Sequence, residues 1–314
     1  MEILYAQDMT WDRLRREAHR GGLFFLSVAP LEDHASHLPS GTDPIICEAL
    51  ARRVAHLVSP VEAVGSEKGE IKAVILPAWY QGASALKSLG CLRLTKATLR
   101  KALCEYGLEL AELGVRRLVL LSSHGADSHM QSLDRAAAWL QSNTRMRVSS
   151  PSGRMLEGFL TGDYHEPVQE MLGRRYTAEE AEGLRGDVHG AGWETSIMLH
   201  LRPELVERYY RYLPPHPVPK GTLKRVRALR AHRGYFGSPH VASADLGEAA
   251  FEVLSHHAAR HLEEFCALPV RAHRKILAAE KRKLRKRDHA GRVAAGLAVG
   301  MLLFWLWDRP RPIR

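Results

Sequence analysis

The stretch "LFFLSVAPLEDHASHLPSGTD" (residues 23–43) joins an apolar run to a dense group of acidic and histidine side chains. Residues 23–29 are almost all hydrophobic, which is typical of a parallel strand that is buried on both faces. Shortly after them come Glu32, His34 and Asp43, residue types that bind metals or transfer protons. The stretch therefore predicts a buried strand with a chemically active loop at its carboxyl end.

Short apolar runs and longer amphipathic segments alternate along the chain. The predicted strands cover residues 23–29, 72–78, 116–123 and 146–150, and the predicted helices cover 43–58, 95–114, 128–143 and a long segment from about 244. Asp43 and Thr95 are the expected N-caps, and Gly114 is the expected C-terminal stop. Strands that alternate with helices form βαβ units, so the pattern predicts a layered α/β domain.

Charge and cysteine usage exclude several classes of protein. Residues 268–314 hold 13 Lys+Arg and 3 Asp+Glu, so they account for the whole net charge of +10, and the other residues hold 32 of each sign. Such a neutral body is not expected to bind nucleic acid, and the local basic run at 220–233 is interpreted as a solvated surface. The four cysteines form no CxxC pair, which argues against a disulfide scaffold and fits a reducing compartment.

Polar side chains follow two of the predicted strands. Glu32 and His34 are two residues apart after the first strand, and His124 follows the third strand. The carboxyl ends of parallel strands meet at one sheet edge, where ligands bind. With Asp43 at the start of a helix, this edge gains two carboxylates and two imidazoles, a set that suits Zn²⁺, Mn²⁺ or Fe²⁺. One such histidine is more often a surface residue, but four residues after two strand ends favour a metal site.

A second polar motif lies in "GDVHGAGWETSIMLHLRPELV" (residues 186–206). His189 and Glu194 flank a glycine-rich turn, and an apolar helix is predicted from Thr195 onward. A glutamate at the start of such a helix is either a charge that the helix dipole favours or a metal ligand. The sequence leaves both interpretations open.

Together these segments resemble the creatininase family of metal-dependent amidohydrolases. The resemblance covers roughly residues 10–267 and depends on four ordered motifs: "APLEDHASHLPSGTD" (29–43), "SSHGAD" (122–127), "HGAGWETS" (189–196) and "GYFGSPHVASADLG" (234–247). It implies a three-layer α/β/α fold around a mostly parallel sheet. Several motifs in the family's order make a chance match improbable.

The resemblance also implies roles for individual residues. Glu32, Asp43 and His124 would hold one divalent metal, and His34 would hold a second with Asp43 as the bridge. His189 corresponds to the family's catalytic histidine, which passes a proton to the leaving nitrogen. A metal-activated water would attack the amide carbon.

The chain departs from the family pattern in several places. Creatininase has a glutamate two residues after the motif histidine, where this chain has Ala126, so Glu194 is the candidate for the missing carboxylate, as ligand or catalytic group. The family's histidine, proline and threonine are absent from "KSLGCLRL" (87–94), and its asparagines are replaced by Ser122 and Asp127. The metal ligands are kept while the pocket walls differ, so we expect a substrate other than creatinine. The expected pocket residues are Trp79, Tyr80, Ser84 and Gly125, although aromatic packing explains the first two equally well.

The sequence thus predicts a metal-dependent amidohydrolase that cleaves a C–N bond of a cyclic or linear amide, in a small molecule or a peptide. The resemblance implies a homo-oligomer, since members of the family usually form hexamers. The alternative is a catalytically inactive binding or scaffold protein of creatininase fold at a membrane. The two hypotheses differ in whether the purified protein holds metal.

The C-terminal tail, residues 268–314, is absent from the usual family pattern. A basic linker (268–292) precedes the apolar run "VAAGLAVGMLLFWLW" (293–307), and a short basic segment (308–314) follows it. As a helix, the fifteen apolar residues span about 22 Å, against a hydrocarbon core of about 30 Å. A soluble core needs no terminal helix that is apolar all round, so the run is interpreted as a membrane anchor and not as a buried core helix. Because the span is short, the helix either crosses the bilayer or lies in its interface. Nine Lys+Arg between Arg274 and Arg292 precede it and three follow, so we expect the catalytic domain on the cytoplasmic side.

Cell fractionation tests the anchor. We predict that the full chain pellets with membranes and requires detergent for release, because the apolar run and the basic cluster both favour the bilayer. A chain ending at Leu268 is the control, and it should be soluble and still bind metal. Full-length protein that stays soluble without detergent would contradict the anchor and would indicate a buried contact between subunits.

Overall fold

The computed structural model describes residues 1–58, 71–83, 90–217 and 233–267. Its centre is a five-stranded sheet in which every strand pair is parallel, with the order β1-β3-β2-β4-β5. The strands are β1 (Ile3–Tyr5), β2 (Leu23–Ser27), β3 (Ala73–Ile75), β4 (Arg117–Leu121) and β5 (Arg147–Ser149). The central strand β2 is therefore the first half of the stretch that opens the sequence analysis.

Helices connect the strands and cover the sheet. They are α1 (Trp11–His19), α2 (Thr42–Leu57), α3 (Lys96–Leu113), α4 (Asp127–Asn143), α5 (Ser152–Thr161), α6 (His165–Leu172), α7 (Ala178–Gly183), α8 (Gly192–Leu201) and α9 (Ala244–Ala267). Short 3₁₀ turns occupy Ala6–Asp8, Pro203–Leu205, Arg208–Tyr212 and Pro239–Val241.

The two faces of β2 are buried in two separate cores, which gives the molecule three layers. Phe25 packs in the core that includes apolar residues of α2, α8 and α9, and Phe24 packs in the core that includes those of α3 and α4. Successive side chains of a strand point to opposite faces, so a strand that is apolar throughout has a helix layer on each side. The expected α/β/α architecture is confirmed.

The four predicted strands are all present. Each ends one to three residues earlier than predicted, and all but β2 begin one residue later. Thr95 caps α3 by accepting the Thr98 N–H, and Gly114 ends that helix with a φ of 109°, as predicted.

The prediction of Asp43 as an N-cap is wrong. Asp43 is the second residue of α2, and its carboxylate lies beside two histidines. The edge strand β1 was not predicted, because three residues are too few for an apolar pattern to be read.

The predicted long final helix is confirmed as α9. A bidentate ion pair joins it to α2, where Arg53 donates to both carboxylate oxygens of Glu252 at 2.7 to 3.1 Å. Residues Met1–Cys266 form one compact unit. The C-terminal tail lies outside the described residues, and none of the helices that are described is long and apolar enough to cross a bilayer.

The packing of α9 on α8 leaves no room at one helical glycine. A Cβ atom at Gly247 would lie 1.8 Å from the Ser196 carbonyl oxygen of α8, whereas a Cβ at Gly153 in α5 would meet nothing within 4 Å. We predict that Gly247→Ala lowers the free energy of unfolding by about 2 kcal/mol or more, because the two helices must separate. Gly153→Ala is the matched control and should be neutral or raise it by up to about 1 kcal/mol. Urea unfolding measures both, and equal effects would contradict this packing.

Candidate metal centre

The predicted ligands lie together at the carboxyl ends of β2 and β4, which are neighbours in the sheet. The loop after β2 carries Glu32 and His34, and the loop after β4 carries His124. The Ser123 hydroxyl donates to the backbone oxygen of Asp43 at 2.6 Å, which ties the β4 loop to the start of α2. All four residues that the sequence predicted to converge are therefore at one place.

Glu32, Asp43 and His124 form the first cluster. Nδ1 of His124 lies 3.1 Å from Glu32 Oε2 and 3.0 Å from Asp43 Oδ2. The two carboxylates are each only 1 % exposed. One oxygen or nitrogen of each residue lies within 4.8 Å of the others, which is close enough for all three to bind one metal ion.

His34, His189 and Glu194 form the second cluster. Glu194 Oε2 lies 3.6 Å from His34 Nε2 and 4.0 Å from His189 Nδ1. The side chains of His189 and Glu194 are 14 % and 23 % exposed, whereas that of His34 is fully buried. The second cluster is therefore the more accessible of the two.

Asp43, a member of the first cluster, also lies beside the second. Its Oδ2 faces His124, and its Oδ1 lies 3.5 Å from Nε2 of His34. One carboxylate whose two oxygens face two different ligand groups is the arrangement that bridges a pair of metal ions.

The hydrogen bonds of the clusters leave ligand atoms available. His34 Nδ1–H donates to the backbone oxygen of Glu32 at 3.0 Å, so the neutral ring has its lone pair on Nε2. That nitrogen and Glu32 Oε1 are buried and have no hydrogen-bond partner among the described residues. Buried polar atoms without partners are costly unless a ligand or ion satisfies them. Imidazole nitrogen and carboxylate oxygen fit Zn²⁺ and Mn²⁺, so these residues are suited to hold such ions.

The electrostatics agree with a cation site. Burial by itself would lower the pKa of His34, but Asp43 and Glu194 outweigh it and raise that pKa to about 10. Burial is likewise outweighed at His124, where Asp43 and Glu32 raise the pKa to about 10. The two imidazoles in turn hold the pKa of Asp43 well below its usual range, although burial opposes them. At neutral pH these groups therefore attract protons that a metal ion would displace.

Glu194 reaches the site because of how α8 begins. Asp187 accepts a hydrogen bond from Trp193 N–H at 3.1 Å, and the Gly190 N–H donates to Glu194 Oε2 at 2.5 Å. Both contacts hold the glycine-rich turn against the first turn of α8. A distant part of the chain thus places a carboxylate 3.6 Å from His34 Nε2.

The loop that carries His34 has an unusual backbone at the next residue. Ala35 has a φ of 61°, a left-handed conformation that favours glycine, and the Asp33 carboxylate accepts its N–H at 2.9 Å. Gly234 packs directly on it, since a Cβ there would lie 2.3 Å from the Ala35 nitrogen. The "GYFG" motif therefore helps to hold the loop in the conformation that presents His34.

The expected pocket residues have mixed surroundings. The Trp79 ring packs on Tyr106 of α3, with ring centres 5.0 Å apart, and so contributes to the core. Tyr80 is exposed and donates from its hydroxyl to Glu48 Oε1 at 2.7 Å. Gly125 is exposed beside His124, and Ser84 lies outside the described residues. These residues stay candidates for substrate contact.

Sequence reasoning assigned no role to His37 or His129, two further buried histidines. His129 accepts from Ala83 N–H at 3.2 Å and donates to the Val28 oxygen at 3.1 Å, with its ring 5.2 Å from that of His124. Burial, reinforced by the charge of His124, lowers the pKa of His129 to about 3 and keeps it neutral. The only sequence signal for His37 was its place in the same loop as His34.

Comparison with known proteins identifies the family of the chain. The sequence model of the creatininase family, described as creatinine amidohydrolase, matches residues 7–262. The creatinine amidohydrolase of Pseudomonas putida is 26% identical over 260 residues, which cover 80% of this chain and 92% of that protein. The mycofactocin precursor peptide peptidase of Mycobacterium tuberculosis is 28% identical over 252 residues, 77% of this chain and 86% of that protein. A solved creatininase with manganese has a TM-score of 0.62 at 23% identity and covers 85% of this chain and 100% of its own. The chain therefore belongs to the creatininase family of metal-dependent amidohydrolases.

Proposed function

We propose that this protein hydrolyses the C–N bond of an amide, in a small molecule or a peptide, with two divalent ions per chain. The observation that carries the proposal is Asp43, whose two carboxylate oxygens face the two ligand clusters. The names of two relatives, a creatinine amidohydrolase and a precursor peptide peptidase, support hydrolysis of amide bonds. Creatininases solved with manganese and in a zinc–zinc form support the choice of metals.

The two ions would be held by the two clusters, except that Asp43 is shared between the ions and His189 is not a ligand. Glu32, Asp43 and His124 would hold the first ion, and His34, Asp43 and Glu194 the second. Bound divalent ions would lower the pKa of a water and polarise the amide carbonyl. Glu32, His34, Asp43 and His124 are buried, and electrostatic interactions are stronger where bulk water is excluded.

His189 is the proposed proton carrier. Its Nε2–H donates to the backbone oxygen of Asp33 at 2.8 Å, which orients the ring and leaves the lone pair on Nδ1. That nitrogen lies 4.0 Å from Glu194 Oε2, on the accessible side of the second cluster. From this position the ring can take up a proton on Nδ1 and give it to the leaving nitrogen.

The substrate is proposed to differ from creatinine. In the segment that departs from the family pattern, Leu92 is exposed and its N–H donates to the Leu31 oxygen, which places it beside the ligand loop. Val188, directly before His189, is also exposed. Two exposed apolar side chains next to the site would favour an amide that carries apolar groups.

Membrane attachment and assembly are separate proposals. The C-terminal tail supports a membrane tether through its composition alone, with the catalytic domain on the cytoplasmic side. The resemblance to the family supports a homo-oligomer, which in this family is usually a hexamer. Neither proposal bears on the chemistry of the site.

Substitution of His189 tests the function and its mechanism together. The metal-loaded protein is incubated with dipeptides, N-acyl amino acids and five-membered cyclic amides, and release of the amine is measured. We predict that His189→Ala retains the metal content of the wild type but lowers turnover about a hundredfold or more, because the proton carrier is lost. Glu32→Gln is the control, and it should lose metal as well as activity.

Two results would contradict the proposal. If His189→Ala loses one metal equivalent, the histidine is a ligand and the proton moves by another group. If the protein as purified holds no metal, and if it hydrolyses none of these amides after incubation with metal, the chain is better explained as an inactive scaffold.

A further inference from the structure

His37 is fully buried in the same loop as His34, yet the chemistry proposed above does not use it. Its Nε2 lies 3.0 Å from the hydroxyl oxygen of Thr195, a residue that is 158 positions away and also fully buried. A side-chain hydrogen bond between two buried groups is worth more than one at the surface, since losing one partner leaves the other unsatisfied. This contact therefore ties two distant segments firmly together.

The two segments are those that supply the second cluster. His37 is three residues after His34, and Thr195 directly follows Glu194. The bond therefore links the loop that carries one ligand to the helix that carries the other. A second link from the same loop, from Asp33 O to His189 Nε2, ends on the turn before α8 and not on the helix itself.

His37 makes two further contacts. Its backbone oxygen accepts the Glu207 N–H at 2.9 Å, and its ring meets the ring of Tyr235 edge-on at 6.1 Å. Thr195 is fixed in α8, where its N–H donates to the Ala191 oxygen at 2.9 Å. Both residues are thus held by further contacts, as expected of residues that set the distance between two other groups.

We propose that His37 and Thr195 are positioning residues that set the spacing between His34 and Glu194, and thereby the affinity of the chain for its second metal ion. The inference rests on the proposed two-metal function. It gives His37 a task that differs from that of a ligand, because its ring bonds to a hydroxyl and not to a member of either cluster. Groups that orient metal ligands typically change metal affinity by 10- to 100-fold when they are removed.

Titration of the metal-free full-length protein with Co²⁺ tests the proposal, with the absorption spectrum and the stoichiometry as readouts. Thr195→Val removes the hydroxyl but keeps the shape, and we expect it to weaken the second Co²⁺ by about 10- to 100-fold and to leave the first unchanged. Thr195→Ser restores the hydroxyl and should restore the affinity to within about threefold.

Ser196→Ala is the matched control. Ser196 is the next residue of α8, is equally buried, and uses its hydroxyl within α8 and towards Ser243 of the following segment. Its loss should leave both Co²⁺ affinities unchanged. Glu194→Gln is the reference for a chain without its second site, and Thr195→Val should resemble it in spectrum.

The outcomes separate the inference from the function on which it rests. If the wild type binds two Co²⁺ and Thr195→Val binds the second as tightly, the His37–Thr195 bond sets no spacing and the inference is wrong. If both affinities fall together in Thr195→Val and Ser196→Ala, the effect is general loss of folding and again contradicts it. If the wild type does not bind two ions, the proposed function itself fails.

Should Thr195→Val not fold, the pair His37→Leu and His37→Gln repeats the comparison. His37→Leu should lose affinity for the second Co²⁺, and His37→Gln should retain it.

Discussion

Two carboxylates, Glu32 and Asp43, are buried almost completely at the edge of the sheet, and buried negative charge is costly unless positive charge lies beside it. In the described residues that charge can come from His34 and His124, whose pKa values are raised by nearby carboxylates against the effect of burial. Such a cluster is poorly suited to a purely structural role, because apolar residues of similar size would be as stable or more so. It is well suited to exchange its protons for divalent ions.

The rest of the structure brings the ligands to that point. The parallel pairing of β2 with β4 places two loops side by side, and the packing of α9 on α8 leaves the start of α8 facing them. Gly234 supports the left-handed residue after His34, and His37 joins the same loop to α8. The site is therefore assembled from segments that lie far apart in the sequence, and its geometry depends on tertiary packing.

Sequence patterns predicted the part of this arrangement that local physics determines. The apolar runs that became β2 and β4 are typical of strands in one parallel sheet, and the shared carboxyl edge of such a sheet brings Glu32, His34 and His124 to one side. The position of Glu194 beside His34 could not be derived in this way, since it depends on how α8 packs and not on any spacing along the chain. Asp43 was expected to cap α2, but the helix already begins at Thr42, and the Asp43 carboxylate lies beside two histidines. The bond between His37 and Thr195 spans 158 positions and has no local signal.

The central claim is that the two clusters hold two divalent ions that share Asp43. Anomalous X-ray diffraction from crystals of the protein loaded with Zn²⁺, collected on both sides of the zinc absorption edge, tests it most directly. The account predicts two anomalous peaks per chain, one among Glu32, Asp43 and His124 and one beside His34 and Glu194, with an Asp43 oxygen facing each. Diffraction that shows no peak at these residues, or zinc bound only elsewhere on the chain, would contradict it.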